Sequence, residues 1–188
     1  VFMQRLRNIN GVIAAQFNEK VYLRGEVLAN DILFNQQWNL RNVGQVGGKP
    51  GADCKASFAW SLPWKNTTAA GDTIVVAVID DMFDTTIREI NWFRNRADVP
   101  GNGIDDDANG YIDDHYGWNT LSNDGNVQIN STANYHGSHV AGIIGAYGNN
   151  DTGMAGIQWG VKILPIVGAN VSDVSDIIQA YNLSLIHI

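Results

Sequence analysis

The chain has 188 residues, 45% of them hydrophobic and 16% charged, so it can bury one sizeable core and is neither disordered nor fibrous. Its 19 acidic and 12 basic side chains give a net charge of -7. This balance argues against a nucleic-acid partner, because no cluster of cations is present to neutralise a phosphate backbone. No run of about 18 apolar residues occurs, and the sequence therefore predicts no membrane span.

The first part of the chain is turn-rich. Residues 1–28 are interpreted as a separate small element. Residues 29–51 hold several Gly and Asn residues and two aromatic side chains, which predicts an ordered arm or loop anchored on a core surface. The apolar segment KASFAWSL, residues 55–62, is long enough for one or two helical turns.

Strands and helices alternate in the rest of the chain. The β-branched run TIVVAVI, residues 73–79, predicts a strand that is buried on both faces of a parallel sheet, and VKILPIV, residues 161–167, predicts a second strand. One helix is predicted to begin at His136 and another to follow over DVSDIIQAYN, residues 173–182. This order predicts an α/β fold. Residues 94–130, which are rich in Asn, Asp and Gly, are interpreted as a long surface excursion.

The helix that begins at His136 has the sequence HGSHVAGIIGAYG. Its apolar side chains recur at helical spacing, and Gly148 is placed to end it. Its small residues permit close packing against a neighbouring element. The apolar positions are Val140, Ile143, Ile144 and Tyr147, and the small ones are Gly137, Ala141 and Gly142.

Two residues stand where catalytic groups are expected. Asp80 directly follows the first predicted strand, and the reactive groups of an open parallel sheet collect beyond the carboxyl ends of its strands. His136 opens a helix, which holds its backbone rigidly. A catalytic triad needs such a pair, in which the aspartate orients the imidazole and the imidazole removes a hydroxyl proton. The sequence therefore predicts Asp80 and His136 as catalytic residues, with a turn-forming role as the alternative for Asp80.

Three metal-dependent readings fit the same residues less well. Residues 80–84 have the Asp-Asp-x-x-Asp pattern of a magnesium motif, but that motif needs a long helix and a predicted strand precedes it here. Phosphotransferases of the haloacid dehalogenase type require a second aspartate where Met82 stands. His136 and His139 are spaced i, i+3, whereas the usual helical zinc pair is spaced i, i+4 with a glutamate between.

An acidic loop, residues 105–114, holds five aspartates and no cation. Asp105, Asp107 and Asn109 alternate and a glycine follows, as in the first half of an EF-hand loop. Tyr116 stands where an EF-hand has its glutamate, so a full EF-hand is excluded. The loop predicts a structural calcium (Ca2+) site, with a solvated acidic loop as the alternative. The predicted ligands are Asp105, Asp107, Asn109, Tyr111, Asp113 and Asp114.

Both predicted catalytic residues stand in motifs of one family. VVAVIDDMFD resembles the aspartate motif of the subtilase family, and HGSHVAGIIGAYGNNDTGMAGI is similar to its histidine motif, in the same chain order. QWNLRNVGQVGG resembles the start of a mature subtilase domain, so the likeness covers residues 30–182. The resemblance implies a doubly wound, mostly parallel sheet and a serine endopeptidase that cleaves polypeptides. Asp80 is then the orienting acid and His136 the general base.

The resemblance also implies features outside the two motifs. The nucleophilic serine and the oxyanion-hole asparagine are expected after residue 182, so the chain as given is expected to be an inactive fragment. Residues 1–28 are expected to be the remnant of an inhibitory pro-segment. The protein is expected to be secreted and to need no organic cofactor. The tail LSLIHI, residues 183–188, matches an in-frame translation of a transposon adapter and is expected to be non-native. The polar residues 149–151 lie where some subtilases bind calcium, but three polar residues after a helix more often form only a turn.

Three positions depart from the family pattern. Thr or Ser and then Gly usually follow the aspartate, where this chain has Asp81 and Met82, while Ser138 replaces the commoner Thr and keeps the hydroxyl. Asp in the first place also occurs in kexin-like branches, whereas Met tolerates fewer backbone conformations than Gly. Two alternatives therefore stay open: a calcium-stabilised, non-catalytic subtilase-like domain, and a metal hydrolase that uses Asp80, Asp81 and His136.

Overall fold

The structure is a computed structural model that describes residues 9–11, 25–129, 135–168 and 173–187. The predicted pro-segment remnant therefore lies mostly outside the described residues. In chain order, the helices and strands are α1 (Ala56–Ala59), β1 (Val75–Asp80), β2 (Trp118–Asn119), α2 (His136–Gly145), β3 (Lys162–Val167) and α3 (Val174–His187). Among these helices, none combines the length and the apolar character that a membrane crossing needs.

The three strands form one parallel sheet in the order β1-β3-β2, which confirms the predicted α/β class. Val75 lies opposite Lys162, and Asp80 lies opposite Val167 at the carboxyl edge of the sheet. Parallel neighbours need long crossover connections, and the crossover from β2 to β3 contains α2. The carboxyl edge is therefore shared by Asp80 and the loops that follow the other strands.

Apolar clusters lie on both faces of this sheet. On one face Ile163 of β3 packs in a cluster with Ala141 of α2, and on the other Leu164 packs in a cluster with Ala180 of α3. Successive side chains of a strand point to opposite faces, so the continuous apolar run of β3 supplies both clusters. Helices on both faces give the doubly wound arrangement that the family resemblance implied.

The first strand is less buried than the sequence predicts. Val75 and Val78 are buried, and the other four residues of β1 are half-buried. Within the described sheet β1 pairs with β3 alone, so it lies at an edge. A strand in that position keeps part of its surface exposed, which the apolar run by itself does not reveal.

The packed face of α2 agrees with the prediction in part, because the small residues Gly137, Ala141 and Gly142 are buried but two of the four apolar residues are exposed. Ile143 and Tyr147 are 48% and 39% exposed, while the small residues of the helix are buried. The reason is the close approach of α2 to β3, since a Cβ atom on Gly145 would lie 2.9 Å from Cγ1 of Val161 and 3.0 Å from Cδ1 of Ile163. Small residues therefore line the closest contact with β3, while Val140 and Ile144 are partly buried against the same cluster.

The end of α2 also differs from the prediction. The helix ends at Gly145, three residues before the expected Gly148. Ala146 turns to an extended conformation with ψ of 143° and pairs with Ile90 in an isolated bridge. A tertiary contact therefore ends the helix, and the glycine signal does not mark its end.

Sequence patterns missed β2. Residues 94–130 are not only a surface excursion, because Tyr111, Trp118 and Val127 are buried. Gly117 enters β2 with φ of 114°, and a Cβ atom there would lie 2.0 Å from the backbone oxygen of Pro165. A two-residue strand is too short to show an alternating pattern, so it becomes visible only through its pairing with β3.

The arm at residues 29–51 is ordered, as predicted. It contains a short 3-10 helix at Phe34–Gln36, and Phe34 and Leu40 are buried in a third cluster with Trp60. The Nε1–H group of Trp60 donates to the backbone oxygen of Ile157 at 2.9 Å. Within the arm itself, Nε2 of Gln37 donates to the backbone oxygen of Ala155 at 2.8 Å, which attaches the arm to the segment that follows α2.

Candidate active site

Asp80 is the last residue of β1 and is fixed at both its backbone and its side chain. Its backbone oxygen accepts a hydrogen bond from the N–H group of Gly168 at 2.9 Å. Its Oδ1 atom accepts a second from the N–H group of Asp81 at 2.8 Å. Only 13% of the Asp80 side chain is exposed. The carboxylate therefore has a defined place at the carboxyl edge of the sheet.

The structure brings Asp80 and His136 together. His136 is the first residue of α2, and its Nδ1 atom lies 2.6 Å from Oδ1 of Asp80. An ionised carboxylate only accepts hydrogen bonds, so Nδ1 carries the hydrogen and Nε2 is left as the acceptor. The imidazole is 72% exposed. A second reactant therefore has open access to the ring.

Carboxylates raise the pKa of His136 above its ordinary value. The largest cause is the hydrogen bond to Asp80, followed by the charge of Asp80. Partial desolvation opposes the rise and the charge of Asp81 adds to it. These interactions stabilise the imidazolium form, which is the form that a general base reaches during a reaction.

The first turn of α2 is tied to the segment that follows β1. The N–H group of Gly137 donates to Oδ1 of Asp81 at 2.7 Å, and the N–H group of Asp84 donates to Oγ of Ser138 at 2.8 Å. Gly137 also lies against the buried ring of Phe83, where a Cβ atom would be 2.8 Å from Cε1. These contacts hold the start of the helix against the end of the strand.

Met82 suits the backbone position that it occupies. It is not among the residues with positive φ, so the conformational freedom of glycine is not required there. Its side chain is partly buried and packs against the cluster that contains Phe83 and Ala141. The departure from the family pattern therefore causes no backbone strain beside Asp80.

The metal-hydrolase alternative uses the same place. Ligand atoms of Asp80, Asp81 and His136 lie within 4.8 Å of one another. This is the one cluster of its kind in the described part of the chain, and it does not include the exposed His139. Two ligand atoms of a tetrahedral zinc ion lie about 3.3 Å apart, because each is about 2 Å from the metal. The 2.6 Å between Nδ1 and Oδ1 is shorter and matches a hydrogen bond. The geometry favours a proton between these atoms.

Four predicted calcium ligands are neighbours in the acidic loop, and Asn109 links them. Its N–H group donates to Oδ1 of Asp105 at 3.0 Å. Its Nδ2 group donates to Oδ2 of Asp107 at 3.3 Å and to Oδ2 of Asp114 at 2.9 Å. The negative charges of the loop are thus partly compensated by N–H donors of the same loop.

The other two predicted ligands turn elsewhere. Asp113 accepts hydrogen bonds from the N–H groups of Asn102 and Gly103, both at 3.0 Å. The ring of Tyr111 packs edge-on against Trp118, but the predicted ligand atom is its backbone oxygen, which this contact does not test. No three carboxylates of the acidic loop reach the 4.8 Å spacing found at Asp80. The calcium assignment at this loop stays a prediction.

Sequence reasoning missed two carboxylates that meet at residues 149–151. Asp31 is 4% exposed, and its Oδ2 atom accepts from the N–H group of Asn149 at 2.7 Å. Its Oδ1 atom is buried and has no hydrogen-bond partner among the described residues. Oε2 of Glu89 accepts from Nδ2 of Asn150 at 3.0 Å. The only signal in the sequence was the polar loop itself, because both carboxylates come from distant segments.

Comparisons with known proteins point to one family. The chain is 48% identical over 92 residues to the Subtilisin-like protease 1 of Plasmodium falciparum (isolate 3D7), a match that covers 47% of this chain and 13% of that protein. It is 32% identical over 139 residues to the Cell wall-associated protease of Bacillus subtilis (strain 168), covering 74% of this chain and 13% of the relative. It is 28% identical over 159 residues to the Neuroendocrine convertase 2 of Bos taurus, covering 85% and 22%.

The chain thus spans between 13% and 22% of the length of these relatives. A sequence profile of the Subtilase family matches residues 71–186, which is more than half of the chain and includes both Asp80 and His136. The chain belongs to the subtilase family.

Proposed function

We propose that the chain carries the acid and the base of an Asp-His-Ser triad that hydrolyses peptide bonds. The observation that carries this proposal is the 2.6 Å hydrogen bond between Asp80 and His136, which are 56 positions apart in the sequence. Asp80 holds the ring with its hydrogen on Nδ1. Nε2 then takes the proton of a serine hydroxyl and passes it to the leaving amine.

The nucleophile and the oxyanion-hole donor of this triad are not assigned to any residue of the chain. Ser172, Ser175 and Ser184 lack the Gly-Thr-Ser surroundings of a subtilase nucleophile. Oγ of Ser175 lies 3.5 Å from Asp176, and Oγ of Ser184 donates to the backbone oxygen of Tyr181 at 2.7 Å. We therefore expect the 188-residue chain by itself to lack peptidase activity.

The complete protein, expressed from the gene with the sequence after residue 182, tests the triad. His136→Ala and Asp80→Asn should lower kcat on a peptide substrate by about 10^4- to 10^6-fold, the range found for subtilisin, a member of the same family. The matched control is His139→Ala, which removes an exposed histidine from the same helix turn and should leave kcat within about twofold. Full activity of His136→Ala would refute the proposal, and a stable but inactive wild type would favour the non-catalytic alternative.

Export and an inhibitory pro-segment are part of the same proposal. They rest on family membership, and one relative is named a cell wall-associated protease. If the interpretation of residues 1–28 is correct, the mature protein recovered from culture medium begins near residue 29. N-terminal sequencing of the secreted and the intracellular forms measures this directly. A mature form that retains residues 1–28, or one confined to the cytosol, contradicts it.

We also propose that calcium stabilises the fold. Calcium prefers carboxylate, amide and backbone oxygens, and two places supply them. In the acidic loop the side chains of Asp105, Asp107, Asn109 and Asp114 are neighbours. At residues 149–151, Asp31 offers a buried oxygen that lacks a hydrogen-bond partner among the described residues, and a buried unpaired carboxylate oxygen is costly without a cation or a donor.

Melting temperatures of this chain with added calcium or with a chelator separate the two places. We expect calcium to raise the melting temperature of the wild type, and Asp31→Asn and Asp107→Asn each to reduce that rise. Asp72→Asn changes an exposed carboxylate before β1 and serves as the matched control. An unchanged calcium response in Asp107→Asn removes the acidic loop from the proposal, and an unchanged response in Asp31→Asn removes the other place.

A further inference from the structure

Asp81 contacts Asp80 and also Gly137, the residue that follows His136 in the helix. Its own N–H group donates to Oδ1 of Asp80, the oxygen that also binds the imidazole. Its carboxylate turns the other way and accepts from the N–H group of Gly137 at 2.7 Å, next to His136. One residue thus fixes the acid through its backbone and the helix that carries the base through its side chain.

Helix α2 lacks a cap from its own preceding residue. The residue at the cap position is Tyr135, whose side chain makes no capping hydrogen bond. The first N–H groups of a helix have no partner within it, and a carboxylate placed there also interacts favourably with the helix dipole. Asp81 fills this place from the end of β1, 56 positions before Gly137.

The capping contact is part of a clasp between two segments. Phe83, two residues after Asp81, lies under the helix and is fully buried. Its burial anchors the segment that follows β1 against α2. Asp84 then donates its N–H group to Oγ of Ser138 at 2.8 Å. The strand end therefore binds the first turn of α2 through a donor and through an acceptor.

We propose that Asp81 is a positioning residue, whose carboxylate caps α2 from the strand and thereby sets the imidazole of His136 against Asp80. This role deepens the proposed function, because it concerns the acid and base of the proposed triad. Asp81 touches neither a substrate nor the reacting atoms. It acts by holding the backbone from which His136 projects.

Electrostatics act in the same direction. Among the described residues, the acidic groups clustered with the imidazole are Asp80, the last residue of β1, and Asp81, which follows it. The other histidine of α2 is the exposed His139. The charge of Asp81 contributes to the raised pKa of His136. The cap and the charge are separable, because an asparagine keeps an oxygen acceptor and loses the charge.

NMR on the 188-residue chain tests the role without any turnover. In Asp81→Ala we expect the amide of Gly137 to exchange with solvent about tenfold faster, the equivalent of one lost hydrogen bond. We also expect the downfield Nδ1–H resonance of His136 to be lost and its titration midpoint to fall. In Asp81→Asn the amide should keep most of its protection, while the midpoint still falls. Asp72→Asn, at the opposite end of β1, should change none of these.

Every outcome of these measurements supports or overturns the positioning role of Asp81. Wild-type exchange at Gly137 together with a wild-type titration of His136 in Asp81→Ala would overturn the positioning role. If Asp81→Ala does not fold, Asp81→Asn still tests the positioning role. An unchanged titration midpoint of His136 in that variant overturns the contribution of the Asp81 charge. Faster amide exchange at sites far from α2 overturns the local effect on the helix start. An inactive complete enzyme with the expected titration shifts would refute the proposed function alone.

Discussion

The start of α2 and the acidic loop at residues 105–114 both depend on aspartates, but they are built differently. At α2 the partners are far apart in sequence, with 56 positions between Asp80 and His136. In the acidic loop, Asp105 and Asn109 are 4 positions apart and Asp113 and Asn102 are 11. Hydrogen bonds of short sequence separation organise most of the loop, although His187 also binds Asp114 at 2.9 Å across 73 positions. The pair has no such local support and exists only because the sheet and the helix pack together.

This difference predicts how each region fails. Damage to the apolar cluster under α2, which contains Phe83 and Ala141 but no residue of the acidic loop, should separate Asp80 from His136 and leave the loop largely intact. Loss of a loop carboxylate should loosen the loop and leave the pair in place. Four experiments test this contrast, in order of decreasing expected effect.

The largest effect is expected from Phe83→Ala. Phe83 is fully buried, packs edge-on against Trp92 and lies under Gly137. Its loss removes a ring from the core and should lower the free energy of unfolding by about 3–5 kcal/mol, as measured by urea denaturation. Phe58→Ala removes a ring that is 45% exposed and should cost about 1 kcal/mol or less. Equal losses of unfolding free energy in the two variants would show that the packing of Phe83 under α2 contributes no more than an exposed ring.

A glycine pair on α2 gives the next largest effect. Gly145→Ala places a Cβ atom 2.9 Å from Val161 and should destabilise the chain by about 1–3 kcal/mol. In Gly142→Ala the nearest atom is Sδ of Met154 at 3.8 Å, which is an ordinary contact. That variant should stabilise by about 0.5–1 kcal/mol, because alanine loses less conformational entropy in a helix. Thermal or urea unfolding of both variants gives the sign, and two changes of the same sign would contradict the packing of α2.

These glycines mark what sequence reasoning achieved and where it stopped. The strand–helix order and the positions of Asp80 and His136 follow from local patterns, so the α/β class and the candidate pair were within reach. The buried face of α2 was predicted in part: the small residues Gly137, Ala141 and Gly142 were expected to pack closely and are buried. The apolar periodicity also pointed to Ile143, which is exposed, whereas the close approach to β3 buries Gly145. Small residues carry little hydrophobic signal, although they determine the packing.

Other features were hidden for a different physical reason. The strand β2 has two residues and is defined by pairing with β3. Asp31 meets Asn149 across 118 positions, and nothing near Asp31 in the sequence announces that contact. Long-range partners of single polar residues require the fold itself, whereas the acidic loop displays its pattern within ten residues.

The loop side of the contrast is tested by Asp113→Ala with a chelator present. Asp113 accepts two N–H groups and has a left-handed backbone with φ of 59°. Loss of the acceptors and the poorer fit of alanine to this conformation should cost about 1–2 kcal/mol in urea. Asp113→Asn keeps one acceptor and tolerates the conformation, so it should cost less. The titration of His136 should not change in either variant, and a change would show that the two regions are coupled.

The smallest effect is the pH dependence of the Asp80–His136 pair, because the exposed imidazole is screened by solvent. The pKa of His136 is raised in the folded chain, so the stabilisation is fully present below the ordinary histidine pKa of about 6.5. It is lost as the pH rises through the higher, folded-state value. The difference in urea midpoint between wild type and His136→Ala should therefore shrink as the pH is raised, while His139→Ala supplies the baseline. A difference that grows with pH would mean that the fold favours the neutral ring. Because the pKa of His136 is raised, the pair stabilises the fold most when the imidazole is protonated, whereas a general base must start neutral. We therefore expect the proposed triad to act at a pH above the range in which the pair contributes most to stability.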